Sequence, residues 1–298
     1  MQIFTKSAIL STCIVLGFGV NVFSQSPLTG FMQGKHGGGL SFSTTHEHYK
    51  SAFLFPEPID EIPVFKEVSV NSFNIYGIYG VSDKLDVTVN IPFIKTFGSA
   101  DAATLSGLGY TNTQDGAQDI SAFAKYQFAK KGHVAFQAGA GITTPLSNYS
   151  VVSSLQSFIA IGNQATTYNG FLLAHFKDER GFFITGQVGY SFRTTEVPNA
   201  VLSELKIGLA TPRFYISGQV GNQTSTSGVD IFRPGFTNFF PAVRVNYTKV
   251  GGTIYAPIDG NLALSFGGGA IVDGRNIGKS HYGSAGLTYN FIYKSLTK

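Results

Sequence analysis

Apolar residues recur at every second position along most of this chain. Leu85, Val87, Val89, Ile91 and Phe93 are separated by Asp86, Thr88 and Asn90. Ile120, Ala122, Ala124, Tyr126 and Phe128 alternate against Ser121, Lys125 and Gln127, and Phe182 to Phe192 and Ala285 to Tyr293 repeat the pattern. Side chains of a strand point to opposite faces in turn, so each run is a strand with one greasy and one polar face. The mature chain shows no comparable helical 3.6-residue pattern. The runs predict about twelve strands, over 37–48, 68–80, 85–95, 118–128, 133–144, 168–177, 181–193, 201–210, 213–222, 239–256, 261–272 and 280–293. The tenth is long, and Gly251-Gly252 is the expected place for a bulge in it.

The links between strands alternate strictly between short and long. Ser82 to Lys84, Ala129 to Gly132, Asp178 to Arg180, Thr211-Pro212 and Ile258 to Gly260 are tight turns. Tyr49 to Glu67, Thr96 to Ala117, Pro145 to Thr167, Thr194 to Ala200, Gln223 to Asn238 and Asp273 to Lys279 are longer. A soluble sandwich has no reason to gather every long loop at one end. An outer-membrane barrel does, with short periplasmic turns and longer extracellular loops. The expected fold is therefore all-β: a transmembrane antiparallel up-and-down β-barrel. Backbone groups in hydrocarbon must all be paired, so such a sheet has to close. Tyr126, Tyr190, Tyr289 and Phe291 suit aromatic girdles in a chain without Trp.

Composition removes the main competitors. Charged residues are 13% of the chain, about half the roughly 25% of soluble domains, so disorder driven by charge is excluded. Glycine is abundant at 36 residues without a Gly-X-Y period, which excludes collagen. Past the N-terminus no run reaches the roughly 18 apolar residues of a helical span. The net charge of +4 is scattered, so there is no basic stripe for nucleic acid. The single cysteine, Cys13, leaves no disulfide framework, thiolate metal site or cysteine nucleophile.

The first residues read as an export signal. Lys6 is a short positive region, Ala8 to Phe23 is apolar, and Val22-Phe23-Ser24 fits a cut before Gln25. The expected organisation is a signal peptide over 1–24, an N-terminal periplasmic segment over 25–36, and a barrel over 37–298.

The segments Gly80–Val87, Asp115–Phe128, Ala138–Pro145 and Phe182–Phe192 resemble, in order, pieces of the outer-membrane transporters of the meta-pathway phenol-degradation family. Asp115 to Phe128 resembles its "G-x-x-D-hydrophobic-x-x-x-x-K-Y-x-F" strand. Gly80 to Val87, leading into Ile91-Pro92-Phe93, resembles the hairpin before it, and Ala138 to Pro145 the strand after it. Phe182 to Phe192 resembles the later "G-x-V-G-Y-x-F" strand. The resemblance spans about 70 to 290 and implies a channel for small solutes, aromatic or otherwise hydrophobic. It supplies no catalytic residue. Lys294 to Lys298 after Tyr293 depart from the aromatic C-terminus of many barrels.

Alternation then gives the lumen. Asp86, Lys125, Gln127, Gln187, Arg193, Glu204, Lys206 and Arg244 are expected on its polar face, where rings of charge set selectivity unless they pair with one another. Twelve strands lie between the filled interior of eight and the aqueous channel of sixteen or more. A narrow lumen follows, with Thr96–Ala117, Pro145–Thr167 or Gln25–Gly34 as candidate constrictions. His46-Glu47-His48, with His36, is the one imidazole cluster, short of the four ligands a closed metal site wants. Ser284 and His281 are the only suggestion of a hydrolase. The expectation is an outer-membrane channel passing small solutes passively, with no enzyme activity, cofactor or metal. Its partners are outer-membrane lipid, the solute and the barrel-assembly machinery. The alternative is a non-conducting barrel acting in adhesion or assembly through loop aromatics Phe53, Phe55, Phe65, Phe232, Phe236 and Phe239.

Overall fold

The computed structural model describes residues 28–292 except 152–153, 232, 238 and 260. The signal peptide with Cys13, and the Lys294–Lys298 tail, lie outside the described residues. Twelve long strands form the barrel: β1 (Gly37–Tyr49), β2 (Val68–Ser82), β3 (Leu85–Gly98), β4 (Asp119–Lys131), β5 (Val134–Pro145) and β6 (Thr167–Lys177), then β7 (Phe182–Arg193), β8 (Ala200–Ala210), β9 (Tyr215–Ser225), β10 (Asn246–Asp259), β11 (Leu262–Arg275) and β12 (His281–Ile292). Each pairs antiparallel with its sequence neighbours, and β12 closes on β1 from Gly37↔Ile292 to His48↔His281. The barrel thus has no edge, which is the condition for a sheet to cross hydrocarbon. No described helix is long and apolar enough to span a membrane.

Burial follows the sequence alternation. Along β3, Asp86, Thr88 and Thr96 are buried while Val87, Val89 and Phe93 are exposed. Along β7, Thr185, Gln187 and Ser191 are buried while Val188, Tyr190 and Phe192 are exposed. The buried face of the wall is the polar one, and the exposed face is a belt of Leu, Val, Ile, Phe and Tyr. That inversion of a soluble protein is what lipid outside and a polar lumen inside demand. Leu172, 59% exposed in the middle of β6 and flanked by Ala138 and Val188, marks the lipid face. Leu172→Arg is expected to cost about 2–4 kcal/mol, read as a lower urea midpoint of the barrel refolded in lipid.

Two boundaries differ from the sequence reading. The tenth strand begins at Asn246 rather than near 239, because Phe240–Ala242 forms a 3₁₀ turn around Pro241. Proline lacks the N–H that a ladder needs. Gly251 and Gly252 lie in regular register with Gly269 and Gly268, and the irregularities fall at Thr248/Lys249 and Pro257/Asp259 instead.

The links at one end are 83–84, 132–133, 178–181, 211–214 and 260–261, and those at the other are 50–67, 99–118, 146–166, 194–199, 226–245 and 276–280. The long loops build a core of their own. Leu54, Ile62, Phe65, Ala100, Ile159, Ile231 and Val243 are buried together there. Loop 99–118 carries α1 (Ala102–Leu108), capped by Asp101 accepting from the Thr104 N–H and closed by Gly109 in the left-handed region. α1 fully buries none of its residues, though Leu105 packs against that loop core. Loop 146–166 packs against the inward face of β3. Its Tyr149 and Ile161 pack on Ile94, and the Thr96 hydroxyl donates to the Ile159 carbonyl. Ile94 and Thr96 share the inward face of β3 with Asp86.

Candidate functional site in the barrel lumen

The lumen is occupied by the chain's own N-terminal segment. Residues 28–36 run inside the short-turn half before β1 begins. Lys125 Nζ donates to the Thr29 carbonyl at 2.7 Å and to the Phe31 carbonyl at 2.5 Å. Gln137 Nε2 donates to the Gly30 carbonyl at 2.6 Å. The Gln33 N–H donates to both oxygens of Asp86 at 3.2 Å, and the Lys35 N–H to Asp83 at 3.0 Å. An extended segment without a strand partner has unpaired backbone groups, and these wall side chains satisfy them.

Two apolar anchors complete the hold. Phe31 is 5% exposed and meets the His175 ring at 4.6 Å and the Phe183 ring at 5.1 Å, within a cluster that includes Tyr215, Tyr255 and Ala263. Leu28 packs with Phe123, Phe171 and Leu173. Between them the anchors reach strands from β4 round to β11. Gly139 makes the approach possible, because a Cβ there would collide with the Leu28 side chain.

The residues expected in the lumen fall into separate groups. Asp86 and Lys125 are register partners, 3.3 Å apart, with side chains 0% and 2% exposed. They hold the segment rather than line open space. Gln127 borders a cavity of about 490 Å³ at the short-turn mouth, with Phe31, His175 and Lys177. Gln187, Glu204 and Lys206 form one patch on β7 and β8. Lys206 lies 3.5 Å from Glu204, and Gln187 Nε2 donates to Glu204 at 3.2 Å. Arg193 sits at the long-loop end of β7, donating to the Pro198 carbonyl at 2.9 Å and to Gln223 Oε1 at 3.2 Å. Arg244 falls outside the barrel strands. It lies in loop 226–245, its backbone bonded to Val229 and its Nε donating to the Ser227 carbonyl at 3.3 Å. Strand parity assigned it inward, and parity has no meaning before Asn246.

Sequence reasoning passed over Lys249 and His175, weighed Glu47 only beside His46 and His48, and named Gln25–Gly34 as a candidate constriction without singling out its anchors Leu28 and Phe31. The parity that points Arg244 inward sends Lys249 outward, whereas the strand as formed buries Lys249 to 5% exposure. Leu28 and Phe31 are two apolar residues in an aperiodic stretch, and that stretch follows the expected cut.

The other sequence candidates are dispersed. His46 bonds Asn71 at 2.8 Å and His48 bonds Ser69 at 3.1 Å, while His36 precedes the opposite end of β1. Among the described residues no group of three metal-ligating side chains converges. His281 and Ser284 are three apart on β12 and so face opposite sides. The loop aromatics are largely spent on the loops. Phe65 is fully buried, Phe236 packs against the same core, and Phe55 lies under Arg275 at 3.8 Å and Arg233 at 5.3 Å. Phe232 lies outside the described residues. Arg275 also grips Asp230 through Nε at 2.7 Å and Nη2 at 2.6 Å, which holds that carboxyl below the usual carboxylate range and keeps loop 226–245 tied to β11.

The COG4313 outer membrane channel of Pseudomonas putida F1 superposes with a TM-score of 0.70 at 12% identity, over 92% of this chain and 100% of that one. The fold is that of an outer-membrane channel. The NanC porin (TM-score 0.51, 6% identity, 84% and 100% covered) and the KdgM porin in complex with oligogalacturonate (0.50, 8%, 85% and 99%) share it more distantly. No protein-family model matches the sequence, and no curated protein does. The transporter resemblance read from the strand motifs agrees with these likenesses at the level of fold.

Proposed function

We propose that the protein is an outer-membrane channel for passive passage of small solutes, exported through a signal peptide cut before Gln25. The observation that carries this is the closed wall, apolar outside and polar inside, with every long loop at one end. Lipid contacts the outer face, the barrel-assembly machinery inserts the chain, and solutes take the lumen past Gln127, Gln187, Arg193, Glu204 and Lys206. The transporter resemblance favours aromatic or other hydrophobic solutes. Nothing in this reading calls on a cofactor or on enzyme chemistry.

The lumen segment makes it a gated channel. Residues 28–36 join β1 directly, and among the described residues their remaining hold is a few hydrogen bonds and two apolar anchors. Their withdrawal toward the periplasm opens the short-turn half without breaking a strand pair. Liposomes carrying the chain from residue 25 are expected to swell slowly in an iso-osmotic sugar, and those carrying the chain from residue 35 several times faster. Folded barrels of both lengths that produce no swelling would contradict the proposal.

A further inference from the structure

Two cations of the long-loop half of the lumen lack an acidic partner at contact distance. Among the described residues no carboxylate lies within 4.0 Å of Lys249 or Arg193. Lys249 is 5% exposed, and the only close group its ammonium meets among the described residues is the Tyr282 ring, 5.2 Å from its centroid. Burying a charge is costly unless it is paired, and Asp86–Lys125 and Glu204–Lys206 show that this lumen pairs charges where it needs only structure.

The two cations flank one bare patch of wall. Gly221 and Gln223 are successive inward positions of β9. Lys249 is the register partner of Gly221, and Arg193 donates to Gln223. A Cβ on Gly221 would meet nothing nearer than a backbone oxygen at 3.8 Å, so there is room between the two charges. The acids whose fields reach Lys249 are Glu47 and Glu204, and Glu204 is already held by Lys206 and Gln187.

Arg193 also borders a cavity of about 290 Å³ with Asp119, Gln223 and Phe240. Tyr149 donates to the Asp119 carboxylate at 2.6 Å. Through Phe240, Pro241 and Val243 this chamber shares its wall with a second cavity, of about 270 Å³, lined by Leu54, Ile62, Phe158 and Ile231. A chamber beneath the loops, with Leu54, Ile62, Phe158 and Ile231 in its wall, thus adjoins the cavity that the Arg193 guanidinium borders, and Lys249 stands on the wall beside Gly221.

We propose that Lys249 and Arg193 form an anion-binding station over Gly221, and that the solutes it takes are small organic carboxylates with an apolar body. This rests on the channel reading and names the solute class. Arg193 supplies a planar fork suited to a carboxylate, and Lys249 a point charge further down the lumen. The apolar wall of Leu54, Ile62, Phe158 and Ile231 accepts the ring or chain.

The test is calorimetric titration of the refolded chain from residue 25 with benzoate, benzylamine and toluene, with conductance read separately. Benzoate is expected to bind and benzylamine is not. Lys249→Gln and Arg193→Gln should each weaken benzoate about tenfold, the worth of one charge-assisted hydrogen bond. Lys84→Gln, in the tight turn between β2 and β3, should not. Glu47→Gln removes the competing acid and should tighten benzoate, which keeps the test alive if Lys249→Gln fails to fold. Equal binding of benzylamine, or unchanged benzoate binding in Lys249→Gln, overturns the station. Conductance without benzoate binding overturns it too and leaves the channel standing. Binding that depends on Lys249 in a silent barrel upholds the station and overturns the channel.

Discussion

Lys125→Met is expected to destabilise the barrel by about 3–5 kcal/mol, because it strips a buried ion pair of one partner. The loss has two parts. Asp86, fully buried at the short-turn end of β3, is left with only the Gln33 N–H. The carbonyls of Thr29 and Phe31 lose the ammonium that both accept from. Urea unfolding of the refolded barrel reads the total, and the double variant Asp86→Leu/Lys125→Met separates the parts. Replacing a buried pair by apolar groups of similar size is often neutral, so the double variant should regain most of the wall's stability. It should not regain the hold on residues 29–33. A protease added from the short-turn side should cut that segment faster in both variants than in the parent.

Phe65→Ala acts at the other end. Phe65 is fully buried at the centre of the loop core, stacked on Tyr110 with ring centroids 6.4 Å apart and pressed against Gly98 at the end of β3. Its backbone accepts from Ser99 at 2.9 Å. Removing a ring from such a site costs about 3–5 kcal/mol. The core touches the ladder at its last pair, Val68 and Gly98, so the cost should fall mainly on the cap. Proteolysis of 50–67 and 226–245 should accelerate while the unfolding midpoint of the strands stays within error. If that midpoint fell with the cap, the loops and barrel would be one cooperative unit.

The wall was legible in the sequence because its information is local. Alternation is a property of successive residues, and from it came twelve strands, their faces and the gathering of long loops at one end. It failed where the chain left the ladder. Pro241 turns Phe240–Ala242 into a 3₁₀ turn, which moved the start of β10, put Arg244 in a loop rather than a strand and hid Lys249. The lumen segment is extended but pairs with side chains rather than a strand, so it carries no period to find. Its marks are Leu28 and Phe31 themselves, and Gly139 opposite Leu28. Which lumen charges pair was also beyond the sequence. Asp86 and Lys125 meet only because β3 and β4 are in that register, while Arg193 is drawn to Pro198 and Gln223 instead.

The central claim is that solutes cross through this lumen. Since Cys13 is the chain's only cysteine and precedes the expected cut, single thiols can be placed on a cysteine-free barrel. Gln219 faces inward on β9 and its neighbour Val220, 41% exposed, faces lipid. Single-channel current through the chain from residue 35 would be recorded for Gln219→Cys and Val220→Cys during addition of a charged thiol reagent. A stepwise fall in current for Gln219→Cys, with none for Val220→Cys, is the expected result. Steady current in both, or the same fall in both, would show that ions do not pass along the polar face and would contradict the account.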